Sequence, residues 1–145
     1  MRIIGCGNRQ RGDDGAGILV VERLRNLGIE ADTRTGEAAD LIETWKDADD
    51  VIVVDAMVTG APVGMVQAWE GGEPVASVST TASTHSLGLA KAIELARVLN
   101  LLPTRLRVYG IEGRGFEPGA EISPEVQCAV EEVVRRIIAH VSPHS

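Results

Sequence analysis

A glycine-rich stretch near the start of the chain constrains the fold more than any other feature. It covers residues 5–17, GCGNRQRGDDGAG, and lies between the apolar pair Ile3 and Ile4 and an apolar-periodic segment that begins at Ile18. Its glycines permit positive φ angles and close backbone approach, so the chain can turn sharply there. The stretch therefore predicts a strand, a tight loop and the start of a helix.

Two adjacent carboxylates, Asp13 and Asp14, stand where this helix should begin. Capping explains one aspartate, because a helix leaves its first N–H groups unpaired and a carboxylate suits the positive end of the dipole. The second is available to bind a ligand. We take Asp14 as the candidate ligand and Asp13 as either a cap or a spare base.

A dinucleotide fingerprint is an alternative reading of the same loop. Gly5 and Gly7 supply the first two glycines of G-x-G-x-x-G, but the third position falls on Gln10. Paired carboxylates would also face the place where a pyrophosphate has to bind. The pattern therefore argues against a nucleotide site.

Composition and charge exclude several classes of protein. The 145 residues, 44% of them hydrophobic, suffice for one domain, residues 1–145, with a full core. Fourteen Lys and Arg form no basic face and only four aromatics are present, so we expect no nucleic-acid partner. Neither a signal peptide nor an apolar run of membrane-spanning length is visible, which favours a cytoplasmic protein that does not bind membranes. Cys6 and Cys128 are in no metal-binding spacing and are interpreted as reduced thiols, with buried packing favoured over catalysis for Cys6.

An apolar run at residues 51–54, VIVV, is the clearest strand and ends in Asp55. Consecutive β-branched residues fit a strand that is buried on both faces, as in a parallel sheet. A carboxylate directly after such a strand lies at the carboxyl edge, where open α/β folds bind ligands. Asp55 is therefore a second candidate ligand, with a turn or helix-capping aspartate as the alternative.

The rest of the chain alternates between strand and helix patterns, which predicts a three-layer α/β/α domain with a largely parallel sheet. Strand patterns cover residues 29–33, 65–69 and 106–111, and a short helix pattern covers residues 40–46. A second helix is predicted after Thr84, with an apolar stripe of Leu89, Ile93, Ala96 and Leu99. A last helix is predicted after Ser123, with an apolar stripe of Val126, Val130, Val133 and Ile137. Two loops, residues 77–84 and 112–122, separate these segments. Residues 80–84, Glu112 and Glu117 could contact a substrate, although we favour ordinary loop surface.

His85 follows Thr84, a plausible cap, and so falls in the first turn of a helix. The dipole disfavours a charged imidazolium there and favours the neutral ring that binds metals; a structural or surface histidine is the alternative. If the first and third strands are neighbours, the gap between them is a topological switch point where Asp14, Asp55 and His85 converge. Two carboxylates and one imidazole suit Ni²⁺, Zn²⁺ or Mn²⁺.

Four motifs in this order and spacing resemble the hydrogenase maturation proteases: the glycine-Asn loop with GDDGAG, then VIVVDA, THSLGL and GFEPGAEISPEV. The resemblance covers nearly the whole chain. It implies an endopeptidase that removes a C-terminal extension from a nickel–iron hydrogenase large-subunit precursor after nickel insertion, and Asp14, Asp55 and His85 match the family's metal-contacting residues. It also implies a five-stranded sheet in the order 2-1-3-5-4 with the fourth strand antiparallel.

The resulting hypothesis is that Asp14, Asp55 and His85 bind nickel already held by the substrate, with no organic cofactor. The expected partner is the hydrogenase large-subunit precursor, and we expect a monomer. The protease signatures G-x-S-x-G and H-E-x-x-H are absent from the sequence. One rival hypothesis is a regulatory module that binds a nucleotide or small ligand without chemistry. Another is a metallohydrolase that carries its own ion, and the same residues would serve it.

Overall fold

Five strands form one mixed sheet with helices on both of its faces. The computed structural model describes residues 1–70 and 84–141, without the side chains of residues 84–88. The strands are β1 (Arg2–Cys6), β2 (Asp32–Arg34), β3 (Asp50–Met57), β4 (Val66–Glu70) and β5 (Arg105–Glu112), and the helices are α1 (Ala16–Asn26), α2 (Ala38–Trp45), α3 (Thr84–Leu99) and α4 (Pro124–Val141). A 3₁₀ turn, Gly12–Gly15, joins β1 to α1. No helix in the described part is both long enough and apolar enough to cross a membrane.

The strand order is β2-β1-β3-β5-β4. The pairs β1–β2, β1–β3 and β3–β5 are parallel, whereas β4 runs antiparallel to β5. The predicted order, the antiparallel fourth strand and the edge position of the second strand are therefore confirmed. Helix α1 packs on one face and α2 on the other, so the carboxyl ends of β1 and β3 flank a topological switch point.

Strand β3 is the centre of the core, as its apolar run predicts. Ile52 and Val54 pack with α1 and α4 on one face, and Val51 and Val53 pack with α2 and α3 on the other. The strand continues to Met57, so the prediction that it ends before Asp55 is wrong. The reason is that the parallel ladder with β5 carries on past the apolar run.

Close packing of α1 on the sheet requires glycine at two positions. A Cβ on Gly17 would lie 2.6 Å from the carbonyl oxygen of Cys6 and 2.6 Å from that of Val54, and a Cβ on Gly5 would lie 2.2 Å from the carbonyl oxygen of Gly17. Such distances leave no room for a side chain. These glycines therefore serve contact between the helix and the strands, which is a different use from cradling a phosphate.

Asp13 ties the 3₁₀ turn to the loop between β5 and α4. It is 2% exposed. Its Oδ1 accepts a hydrogen bond from the Ser123 N–H (2.7 Å), and its Oδ2 accepts from the Ser123 hydroxyl (2.8 Å) and the Arg114 N–H (2.7 Å). The N-cap residue of α1 is Gly15. The prediction that Asp13 caps the helix is therefore wrong, because its three donors come from the distant loop. Its role as a spare base stays a prediction.

Glu112 fixes the loop after β3 in the same manner. It is 1% exposed. Its Oε2 accepts from the Thr59 N–H (2.7 Å) and its Oε1 from the Thr59 hydroxyl (2.7 Å). The interpretation of Glu112 as loop surface is wrong, because β5 extends through this residue and buries it. Glu117 is exposed, in agreement with that interpretation.

Helix α3 covers the same sheet face as α2. Leu89, Ile93 and Ala96 are buried, as the predicted stripe requires, whereas Leu99 is 54% exposed. Leu99 is the last residue of the helix and is followed by Asn100, which has φ +58°. The Ser/Thr-rich segment lies outside the described residues except for Thr84, which is the first residue of α3. The stripe of α4, Val126, Val130, Val133 and Ile137, is fully buried as predicted.

Substitution of Gly17 by Ala should destabilise the protein. The added Cβ would meet two backbone oxygens that can move only if α1 leaves the sheet, and overpacking of this kind costs roughly 1–3 kcal/mol. Urea unfolding followed by circular dichroism measures the effect. Gly115→Ala is the matched control, because nothing lies within 4 Å of a Cβ built there. Equal midpoints for the two variants would contradict the close packing of α1.

Asp13→Asn should lower the free energy of unfolding by roughly 1–3 kcal/mol. The amide group that replaces one carboxylate oxygen donates rather than accepts, so one of the three donors from the last loop loses its acceptor. Amide hydrogen exchange at Arg114 and Ser123 should speed up in parallel. Asp47→Asn, at an exposed position, is the control. Unchanged exchange at both amides would show that Asp13 does not hold the loop.

Candidate active site

Asp14 and Asp55 are buried at the carboxyl edge of the sheet. Asp14 comes from the 3₁₀ turn and is 0% exposed, and Asp55 comes from β3 and is 3% exposed. The Asn8 N–H donates to Asp14 Oδ2 (3.0 Å), and the Ala56 N–H donates to Asp55 Oδ1 (2.8 Å). Each carboxylate is thus oriented by a backbone donor, and neither is an exposed turn residue.

Both carboxylates lie near Cys6, the last residue of β1. Burial raises the pKa of the Cys6 thiol well above its usual range, and the negative charges of Asp55, Asp40 and Asp14 raise it further, while Arg34 opposes them. Charges act on a thiol in this way only at short range. Asp14 and Asp55 therefore both lie near Cys6; their joint role as ligands stays a prediction.

Asp55 lies on the sheet face that α2 and α3 cover. Side chains alternate along a strand, and Val53 and Met57 on either side of Asp55 pack in the cluster that contains Cys6 and residues of these two helices. The carboxylate thus stands at the end of an apolar layer. A charged group in such a place interacts more strongly with an added cation than it would in water.

His85 is the second residue of α3. This helix packs on the Asp55 face through Leu89 and Ile93, and it is followed after five residues by Arg105 at the start of β5. A helix of 16 residues is about 24 Å long, so one that ends near the amino edge begins near the carboxyl edge. The backbone of His85 is therefore at the predicted edge, and its side chain lies outside the described residues.

Two further charged residues at this edge were not predicted. Arg34 is the last residue of β2, and Asp40 lies in the first turn of α2. The Nε of Arg34 donates to the Thr44 hydroxyl (3.0 Å) and lies 3.6 Å from Asp40 Oδ2. Both charges act on the Cys6 thiol. The signal that selected Asp55, a polar residue at the carboxyl end of a parallel strand, applies equally to Arg34 and could have found it.

The two carboxylates are of the chemical type that divalent cations accept as ligands. Two carboxylates from separate elements provide oxygen ligands and leave other coordination positions open. Among the side chains that the structure describes, no three His, Cys, Asp or Glu are grouped as a metal site. The side chain of His85, the predicted third ligand, is not among them.

Comparisons with known proteins agree with this fold. A family model described as hydrogenase maturation protease matches residues 33–140. Protein FrxA from Pyrococcus furiosus is 24% identical over 131 residues, which cover 88% of this chain and 95% of that protein. Two solved structures are similar to the chain: the Escherichia coli hydrogenase maturating endopeptidase HybD (TM-score 0.81, 24% identity, 98% of this chain and 91% of that chain) and the [NiFe] hydrogenase maturation protease HybD from Thermococcus kodakarensis (TM-score 0.78, 23% identity, 94% and 95%).

These likenesses differ in what they establish. The two structures share the α/β fold over nearly their full lengths. The family model spans well over half of the chain, including β3 with Asp55 and the start of α3, but not the glycine-rich stretch. Because that model describes proteases, protease activity follows with the family. This chain is a protease and belongs to the hydrogenase maturation protease family.

Proposed function

We propose that this protease is an endopeptidase that removes the C-terminal extension of a [NiFe] hydrogenase large-subunit precursor that already holds nickel. In this proposal Asp14, Asp55 and His85 bind the nickel of the substrate. The observation that carries it is the position of two buried carboxylates, from the 3₁₀ turn and from β3, near Cys6. The name of the Thermococcus kodakarensis structure, a [NiFe] hydrogenase maturation protease, supports this substrate class.

The ligand chemistry fits nickel in the substrate. Carboxylate oxygens and a neutral imidazole suit borderline divalent ions, and three protein ligands leave positions for the groups that already hold the metal in the precursor. A divalent cation would also stabilise two neighbouring carboxylates, whose negative charges otherwise repel each other. Nickel would then act as a recognition element that positions the scissile bond beside the carboxylates.

Hydrolysis of the peptide bond uses water as the nucleophile. Cys6 is unsuited to that role, because burial and the nearby carboxylates raise its pKa and keep the thiol protonated. A carboxylate of the pair is the available base for the attacking water, which would make the chemistry aspartic-type. In this proposal Asp13 takes no part, since the loop after β5 engages both of its oxygens.

The two rival hypotheses, a regulatory module and a metallopeptidase, predict different cleavage results. Family membership favours a protease over a regulatory module without chemistry. A metallopeptidase with its own ion would cleave the precursor whether or not nickel is present, whereas the proposed enzyme requires the loaded form.

Both cysteines are free thiols, which supports action in the cytoplasm. We further propose that the enzyme works as a monomer, without nucleic acid or a membrane.

Asp55→Asn should reduce cleavage of a nickel-loaded precursor by about 100-fold or more, the range for loss of an acid–base group. An amide is a weaker metal ligand than a carboxylate and cannot act as a base. The intact mass of the precursor over time measures the rate. Asp50→Asn is the matched control, because Asp50 begins the same strand at the opposite edge. Cleavage by Asp55→Asn at the wild-type rate would overturn the proposed site.

Alkylation should distinguish water from a cysteine nucleophile. At pH 8 iodoacetamide should modify exposed Cys128 and leave buried Cys6 unmodified, because the raised pKa of Cys6 keeps its thiolate fraction low. Mass spectrometry should show one adduct in the native protein and two after unfolding, with cleavage activity unchanged by the first. Modification of Cys6 in the native protein with loss of activity would contradict the assignment.

A further inference from the structure

A groove lies beside Asp14, between the loop after β1 and the loop after β5. It has a volume of about 730 Å³ and is lined by residues 8–11 on one wall and residues 118–120 on the other. This volume is in the range of ligand-binding sites. A larger cleft of about 900 Å³ is lined by residues of the opposite, amino edge of the sheet, such as Arg2 and Asp50, and is remote from both candidate carboxylates.

Fixed contacts hold the two walls of the groove in place. The Gly119 N–H donates to the carbonyl of Gln10 (2.8 Å), and Arg11 Nε donates to the carbonyl of Phe116 (3.2 Å). Below them, the hydrogen bonds of Asp13 anchor both ends of the β5–α4 loop. The groove is therefore formed before any ligand arrives, which lowers the entropic cost of binding.

One wall of the groove contacts a candidate catalytic residue directly. The Asn8 N–H donates to Asp14 Oδ2 (3.0 Å), and Asn8 Oδ1 accepts from the Gln10 N–H (2.9 Å). A polypeptide lying along residues 8–11 would therefore lead into the edge where Asp14 and Asp55 lie. Since the chain is a protease, such a polypeptide is the kind of ligand that must reach this point.

The charge of the groove is opposite to that of the whole protein. The chain has a net charge of −7, yet the wall at residues 8–11 contains Arg9 and Arg11 and no acid. Arg9 forms an ion pair with Glu22. Exposed Arg11 donates through Nε to the neutral carbonyl of Phe116. Its guanidinium has further N–H donors, in a fork that matches a carboxylate.

We propose that this groove binds an extended segment of the precursor near the scissile bond, and that Arg11 contacts a carboxylate side chain of that segment. This inference rests on the proposed function, since it assigns a binding surface to that substrate. Arg11 determines affinity for the precursor and takes no part in the chemical step. Its charge also makes binding sensitive to salt, as expected for an exposed electrostatic contact.

Kinetics with an Arg11→Glu variant test this assignment. The KM for the nickel-loaded precursor should rise about tenfold with kcat changed less than twofold, because a repulsive charge at the rim weakens association and leaves the carboxylate pair intact. Arg11→Lys should keep most of the affinity, since it retains the charge but loses the donor to Phe116. Raising the salt concentration should increase the KM of the wild type more than that of Arg11→Glu.

Arg136→Glu is the matched control. Arg136 is an exposed arginine in an ion pair with Glu132 on α4, and the variant makes the same change in net charge away from the groove. An unchanged KM for Arg11→Glu, or an equal rise for Arg136→Glu, would overturn the inference. Thermal unfolding of each variant shows that it is folded before its kinetics are compared.

A binding measurement separates this inference from the proposed function. Affinity for the precursor is compared by calorimetry between Asp55→Asn and the double variant Asp55→Asn/Arg11→Glu, so that the loss of cleavage and of one nickel ligand is common to both. If the wild type does not cleave the loaded precursor but Arg11→Glu weakens binding, the proposed function fails and the groove stands. If the wild type cleaves and Arg11→Glu binds normally, the groove fails and the function stands. Absence of both cleavage and binding overturns both.

Discussion

The packing of α1 against the carboxyl ends of β1 and β3 brings Asp14 to the edge at which Asp55 lies. Glycine at positions 5 and 17 lets the helix approach to distances that a Cβ would forbid. The chain must then leave β1, make a 3₁₀ turn and enter the helix within a short span, which places Asp14 over the last residue of β1. The proposed site is thus a consequence of how closely one helix lies on the sheet.

Neighbouring acidic residues take different roles because their surroundings differ. Asp13 receives three hydrogen bonds from the β5–α4 loop and holds that loop on the sheet edge. Asp14, the next residue, accepts a hydrogen bond from the Asn8 N–H and, like Asp55, lies near Cys6. Glu112 fixes the loop after β3 through Thr59. Two structural carboxylates therefore flank the two that we propose bind nickel, and a rigid frame around ligands favours one coordination geometry.

Local patterns predicted most of the fold and the edge at which the site lies. The β-branched run identified the central strand, and the glycines identified the turn before α1, because both signals come from neighbouring residues. The strand order came from family resemblance. Patterns along the chain could not show that Asp13 bonds to Ser123 or that β5 buries Glu112, since such contacts join residues far apart in sequence. Pairing between strands also carried β3 past Asp55, where the apolar run had already ended.

Cleavage of one precursor, prepared with and without nickel, tests most directly whether the enzyme recognises the metal of its substrate. The two forms are incubated with the purified enzyme and followed by intact mass. Loss of a C-terminal peptide from the nickel-loaded form alone is the predicted result. Equal cleavage of both forms would contradict recognition of substrate nickel and would assign the chemistry to an enzyme that does not need it.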